Sequence, residues 1–166
     1  VLRYERYACA EWPSLTAVLR DFVGHLDGDT AIEHCAVASA GYVLGDAIVN
    51  ENLPWPVSIG DIRQSLGLSG LAVVNDFEAV AYACQFLQSH ETTPIIATDA
   101  APVEGPILVM GPGTGLGSAV LLPGKPHCTV LPTEAGQISL APGNAREVAI
   151  LAELGRDRDY VSYETA

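Results

Sequence analysis

The segment VVNDFEAVAYA, residues 73–83, joins an apolar run to a second, longer run through two polar residues. The pattern predicts a buried strand that ends near Asn75 and a helix that begins after Asp76. Ligands of open α/β sheets bind beyond the carboxyl ends of the strands, so a carboxylate at this point can be catalytic. The alternative is structural, with Asn75 as the helix cap and Glu78 completing a capping box. These residues alone leave both interpretations open.

Strands and helices alternate on both sides of this segment. Strands are predicted at 34–40, 41–50 and 71–74, and helices after Ser14, after Ser58 with an end at Gly67, and from Asp76 to about residue 88. Residues 89–105, rich in Thr, Pro and Asp, are expected to form a loop. Further strands are predicted on both sides of a glycine-rich turn at 111–117, at 127–131 and at 136–141, and a last helix at 144–154. This interleaving predicts an α/β fold with a mixed sheet flanked by helices.

Composition limits the classes of function. The chain has 166 residues, of which 49% are hydrophobic and 17% are charged, as expected for one globular domain or part of one. Its formal net charge of −12 disfavours nucleic acid and anionic membranes as partners. An anionic substrate would have to be held by backbone N–H groups, helix N-termini or a metal.

The cysteines and histidines show no metal-binding spacing. The cysteines occur singly, at Cys9, Cys35, Cys84 and Cys128, and are expected to be reduced. The histidines are His25, His34, His90 and His127, and no metal site is predicted from their spacing. With no basic leader and no long apolar run, a cytoplasmic location is expected. The chain starts at Val1 and ends at YETA without a cap, so it is expected to be a segment of a longer protein.

The stretch GPGTGLG, residues 111–117, is the most specific local motif. Glycines allow a backbone to approach a phosphate closely, and successive N–H groups can form an anion-binding nest. The stretch lacks the Lys-Ser/Thr pair of a Walker A loop, and the strand-like SAVLL follows it where a Rossmann turn has a helix. Two interpretations remain: a plain hairpin turn, or a phosphate clamp with Thr114 at its tip.

Taken in order, VVNDFEAVAYA, GPGTGLG between two strands, and LPTEAGQISLAP resemble the bacterial glucokinase family, within the superfamily of sugar kinases, actin and heat-shock ATPases. The resemblance runs from RYACAEWPSLTAVL to DYVSYE. The family's Asp-x-Gly-Gly-Thr loop and its adenosine-binding helices do not occur here, so the chain looks like the central portion of such an enzyme. Residues 1–104 would form part of the small α/β lobe, and 105–166 the start of the larger lobe.

The resemblance implies roles for single residues. Asp76 would be the general base that takes the proton from the sugar 6-hydroxyl, and Asn75, Glu134 and Glu164 would bind sugar hydroxyls. The alternative for Glu164 is a solvated surface acid. Where the family usually has Glu-Gly-Gly-His, this chain has Gln137 in place of the histidine, which puts its preference for glucose in doubt. The implied phosphate-binding residues are Gly111, Gly113, Thr114, Gly115 and Gly117.

The implied reaction is transfer of the γ-phosphoryl group of ATP to the 6-hydroxyl of glucose, the first step of glycolysis, assisted by Mg²⁺. The expected partners are glucose or a related hexose and ATP, and a homodimer is expected. Polyphosphate remains open as the phosphoryl donor. Two further alternatives are a sugar-sensing or regulatory protein without catalysis, and an inactive fragment of a sugar kinase.

Overall fold

The structure is a computed structural model that describes residues 3–26, 28, 31–50, 52–96, 105–113 and 115–166. The chain forms two compact units, Val1–Asp76 and Phe77–Ala166. The predicted division into lobes at residue 104 stays a prediction. Among the described helices, none has the length and apolar character needed to cross a membrane.

Helices and strands interleave through the first unit and into the second, which confirms the α/β class. The elements are α1 (Leu15–Gly24), β1 (His34–Ser39), β2 (Tyr42–Leu44), β3 (Ala47–Val49), β4 (Val57–Ser58), α2 (Ile59–Leu66), β5 (Gly70–Asn75) and α3 (Asp76–Cys84). Strands β1 and β5 pair in parallel, and β2, β3 and β4 form an antiparallel sheet.

Side-chain caps fix the starts of the first two helices where the sequence predicts them. The Ser14 hydroxyl accepts a hydrogen bond from the Ala17 amide at 3.1 Å, and the Ser58 hydroxyl accepts one from Asp61 at the same distance. Helix α2 ends at Gly67, whose φ of 65° is left-handed and favours glycine. These contacts satisfy backbone groups that a helix end would otherwise leave without partners.

The core of the first unit holds the parallel strand pair in place. Ile48, Val57, Ile62 and Leu68 are buried together, and side chains from α1, β1 and β5 pack around them. Burial in this region also raises the pKa of the Cys35 thiol. The polar ends of β1 and β5 therefore project from a packed apolar base.

The stretch 41–50 differs from its prediction as a single strand. It is a hairpin of β2 and β3, because Gly45 adopts a φ of 62° at the turn. The next residue, Asp46, accepts hydrogen bonds from the Ser58 hydroxyl at 2.7 Å and the Gly60 amide at 2.8 Å. The turn therefore also caps α2.

A polar network ties the first described residues to α1. The Tyr7 hydroxyl donates to Glu5 and, at 3.0 Å, to Asp21, while Arg3 pairs with Glu5. His25 lies 3.4 Å from the Asp21 carboxylate and 3.6 Å from that of Glu5. The Tyr7 and Arg3 hydrogen bonds lower the pKa of Glu5.

The second unit contains an antiparallel sheet and the last helix. Its strands are β6 (Ile107–Pro112), β7 (Leu116–Leu122) and β8 (Thr129–Thr133), with β7 in the middle, and the helix is α4 (Ala145–Leu154). Ala81 of α3 is buried together with Ala119, Leu121 and Val130 of the sheet. Helix α3 therefore packs on this sheet through Ala81, with the Phe77 ring beside it.

Two predictions for this part of the chain are wrong, one in extent and one in type. Helix α3 ends at Cys84, about four residues earlier than predicted. The predicted strand 136–141 is instead a short 3-10 helix, Ala135–Gln137, followed by a single bridge between Ser139 and Ser162. Gly136 is buried in this turn, and its backbone packs closely against Leu116.

The left-handed cap at Gly67 gives a stability prediction. Gly67→Ala places a Cβ in a backbone conformation that costs about 1–2 kcal/mol for residues other than glycine, so the free energy of unfolding should fall by about that amount. Urea unfolding followed by circular dichroism measures it. Gly24→Ala is the control, because Gly24 lies in α1 with open space around it and alanine favours helix. Equal losses in both variants would contradict the cap.

Candidate functional site

The carboxyl end of the parallel strand pair carries the first group of predicted site residues. Register pairs Ser39, the last residue of β1, with Asn75, the last residue of β5. Asp76 follows as the first residue of α3, and both Asn75 and Asp76 are partly buried. This is the edge at which open α/β sheets bind ligands. The capping role of Asn75 and Glu78 remains a prediction.

Two residues at this edge were missed by sequence reasoning. The Asn50 side-chain amide donates to the Ser39 hydroxyl at 3.0 Å, and its carbonyl oxygen accepts from the Asn52 amide at 2.9 Å. Asn50 follows β3, so the short hairpin brings it to the end of β1. The sequence gives only a weak indication of this role, because a single asparagine follows an apolar run. The edge thus combines hydroxyl, amide and carboxylate groups, which suit a ligand rich in hydroxyls.

The glycine-rich stretch forms the connection between β6 and β7. Gly111 pairs with Gly117 and Pro112 with Leu116, so the strands continue almost to the tip. The Gly113 amide donates to the Gly115 carbonyl oxygen at 2.7 Å across the turn. Thr114 lies outside the described residues. The predicted strand–turn–strand arrangement is confirmed.

Two of these glycines accommodate the Phe77 ring. A Cβ on Gly117 would overlap the ring, and one on Gly111 would lie 3.3 Å from its Cζ atom. Glycine is therefore required at 117 for packing, whatever the loop binds. The ring thus packs α3, at Phe77, against the β6–β7 hairpin.

Glu164 connects two predicted sites in the second unit. Its Oε2 atom accepts a hydrogen bond from the Leu116 amide at 2.9 Å, and its Oε1 atom accepts one from the Gln137 side-chain amide at 2.7 Å. A Cβ on Gly115 would overlap the carboxylate. The close approach therefore depends on glycine at 115. The structure places the Glu164 carboxylate against the glycine-rich loop, and the Gln137 side chain is bonded to that carboxylate.

The 3-10 turn that carries Glu134 and Gln137 is packed on β7. The Gln137 amide donates to the Glu134 carbonyl oxygen at 2.9 Å, and the Glu134 side chain is exposed. Gly136 is buried, and a Cβ there would overlap the Leu116 carbonyl oxygen. Its own carbonyl oxygen accepts from the Glu164 amide at 2.9 Å. Backbone hydrogen bonds thus hold Glu164 beside the turn that carries Glu134 and Gln137.

The predicted residues therefore fall into two groups. Asn75 and Asp76 lie at the strand edge of the first unit with Ser39 and Asn50. The second group lies within the second unit and comprises Glu134, Gln137, Glu164 and the described glycines of the loop.

A family model described as Glucokinase matches residues 1–166. This chain belongs to the glucokinase family. Its relatives include a glucokinase-like protein of Xylella fastidiosa strain 9a5c, 39% identical over 100% of this chain and 49% of the relative. A glucokinase of Paramagnetospirillum magneticum is 37% identical over 94% of this chain and 49% of its own length. The chain thus spans about half the length of the curated glucokinases it matches.

Solved glucokinase structures have the same fold. A glucokinase from an Antarctic psychrotroph superposes with a TM-score of 0.79 at 33% identity, over 99% of this chain and 51% of that one. A glucokinase from Balamuthia mandrillaris, in complex with glucose, gives 0.62 at 20% identity over 94% and 48%. The first confirms the expected relationship, and the second supports the fold alone.

The Phe77 contact gives a prediction for this glucokinase-family chain. Gly117→Ala forces the new methyl group into the ring and should lower the free energy of unfolding by about 2 kcal/mol or more, as overpacking does. Gly113→Ala is the matched control, because nothing lies within 4 Å of a Cβ at that position. Urea unfolding of both variants measures the difference. Similar values for the two would show that the ring does not require glycine at 117.

Proposed function

We propose that this chain is the sugar-binding central portion of an ATP-dependent glucokinase, which transfers the γ-phosphoryl group of ATP to the 6-hydroxyl of glucose. The observation that carries the proposal is the contact of Glu164 with both Gln137 and the Leu116 amide of the glycine-rich loop. The Glu164 carboxylate thereby joins Gln137, which is expected to bind the sugar, to the glycine-rich loop, which is expected to bind phosphate. Membership of the glucokinase family supports the same reaction.

Asp76 is the proposed general base. A carboxylate at the end of a strand can accept the proton of the 6-hydroxyl while the oxygen attacks the γ-phosphorus. Phosphoryl transfer depends mostly on positioning and on stabilisation of charge, so a fixed carboxylate is well suited to it.

Sugar recognition is proposed for Asn75, Glu134, Gln137 and Glu164. Hexose hydroxyls are donors as well as acceptors, and an ionised carboxylate can accept from two of them at once. Asn75 and Gln137 can donate and accept. Ser39 and Asn50 lie at the same strand edge as Asn75 and extend its hydrogen-bonding capacity.

The glycine-rich loop is the proposed phosphate site, with Gly111, Gly113, Thr114, Gly115 and Gly117 as its residues. The Gly113 amide donates to Gly115 and the Leu116 amide to Glu164, so phosphate binding requires these two contacts to open. Magnesium, which would enter with the nucleotide, neutralises phosphate charge when bound, and carboxylate and phosphate oxygens are its usual ligands.

The biological setting follows from this reaction. A glucose-phosphorylating enzyme acts at the entry of glycolysis, in the cytoplasm where ATP is available, and we propose a homodimer as its assembly. The net charge of −12 supports small-molecule partners over nucleic acid or anionic membranes.

Two observations are compatible with a second function. The relatives at 39–40% identity are named glucokinase-like proteins, and this chain has Gln137 at a position where the family usually has histidine. Both are compatible with a regulatory protein that binds a hexose without phosphorylating it. The presence of Asp76 together with the glycine-rich loop favours the enzyme.

The role of Asp76 is tested by Asp76→Asn in the full-length protein. Turnover should fall by roughly 10²- to 10⁴-fold, the range for loss of a general base, while glucose affinity changes less. A coupled assay of ADP formation gives kcat, and isothermal titration gives the glucose affinity.

Glu78→Gln is the control for Asp76→Asn, since it removes a neighbouring carboxylate on the same helix. This variant should alter stability more than turnover, because its expected role is capping. If Asp76→Asn keeps the turnover of the wild type, Asp76 is not the general base and its role is structural.

Selectivity among hexoses is tested by Gln137→His in the full-length protein. An amide can serve as donor or acceptor, so it should penalise epimers of glucose less than a fixed imidazole does. The ratio of kcat/KM for glucose to that for mannose should therefore rise in the variant. An unchanged ratio would show that Gln137 does not shape the sugar site.

A further inference from the structure

The Glu164 carboxylate occupies the glycine-rich loop as an anionic ligand would. Its Oε2 atom accepts the Leu116 amide at 2.9 Å, and the carboxylate lies against Gly115, where a side chain would exclude it. A hydrogen bond from an amide to a carboxylate is charge-assisted and stronger than one between neutral groups. The carboxylate therefore stands where a phosphate oxygen could accept the same N–H.

A phosphate and this carboxylate cannot share the Leu116 amide. Both are anionic acceptors, and two like charges at hydrogen-bond distance from one donor repel each other. The Gly113 amide is also engaged within the loop, by the Gly115 carbonyl oxygen at 2.7 Å. The arrangement thus opposes phosphate binding until Glu164 turns away.

Rotation of the Glu164 side chain can release the loop without moving the backbone. The Glu164 amide donates to the Gly136 carbonyl oxygen at 2.9 Å, and the Tyr163 amide donates to Ile138 at 3.1 Å, which hold this segment. The side chain is exposed, and among the described residues its hydrogen-bond donors are the Leu116 and Gln137 amides. Hydroxyl donors from a sugar can compete for the same oxygens.

We propose that Glu164 couples hexose binding to phosphate binding: its carboxylate blocks the Leu116 amide until sugar hydroxyls engage it. The proposal rests on the proposed function, which supplies the sugar and the phosphate. Glu164 acts as a positioning residue for the loop in addition to its expected contact with the sugar.

Thermodynamic linkage makes the coupling measurable from both sides. Couplings between sites are typically about 5- to 150-fold in affinity, and the factor is the same in either direction. Saturating glucose should therefore tighten the binding of inorganic tripolyphosphate, a probe for the loop, by about 5-fold or more. Saturating tripolyphosphate should tighten glucose binding by the same factor.

The test is isothermal titration of the full-length protein with tripolyphosphate, with and without glucose, in wild type and Glu164→Gln. The neutral amide is a weaker acceptor for Leu116 and does not repel phosphate. The variant should therefore bind tripolyphosphate more tightly than wild type without glucose, and glucose should add little. Glu153→Gln is the matched control, because it removes the same charge from an exposed glutamate on α4 of the same unit.

Weaker tripolyphosphate binding by Glu164→Gln than by Glu153→Gln would overturn the proposal, since it would mean that the carboxylate organises the loop. Glucose coupling of equal size in the two variants would overturn it as well. Formation of glucose 6-phosphate by the wild type is measured separately. The coupling can therefore fail while the proposed reaction stands, and loss of the reaction is recognised on its own.

Discussion

The packing of the Phe77 ring on Gly111 and Gly117 is the constraint on which the arrangement of the second unit depends. It holds α3, at Phe77, against the β6–β7 hairpin. The same hairpin then accepts Glu164 at Gly115. Gly111, Gly115 and Gly117 are therefore explained by the close approach of the Phe77 and Glu164 side chains.

Sequence patterns predict correctly the helix ends that are set by neighbouring residues in the chain. Ser14 and Ser58 cap helices where the sequence places a cap, and Gly67 ends α2 in the left-handed conformation that glycine allows. The errors occur where tertiary contacts decide. The stretch 41–50 forms a hairpin that turns at Gly45 and not a single strand. The stretch 136–141 is expected to be a strand, but it begins with a 3-10 turn in which Gly136 is buried.

The sequence predicts which residues form the candidate site, but only in part which of them contact one another. The order of the three sequence motifs identifies Asp76, Gln137 and Glu164 as candidate site residues. The same order predicts the glucokinase family, to which the chain belongs. The hydrogen bond from Leu116 to Glu164 joins residues 48 positions apart, so no local pattern reports it. The contact between Ser39 and Asn50 likewise depends on a hairpin that periodicity does not predict.

We propose that two chemically different sites, one for a sugar hydroxyl and one for phosphate, serve a single transfer reaction. ³¹P NMR of the full-length protein incubated with glucose, ATP and Mg²⁺ tests this directly. We expect loss of the γ-phosphate resonance of ATP and growth of a glucose 6-phosphate resonance in equal amount, with no release of inorganic phosphate. Glucose binding without any phosphorylated sugar would contradict it and would favour a regulatory protein.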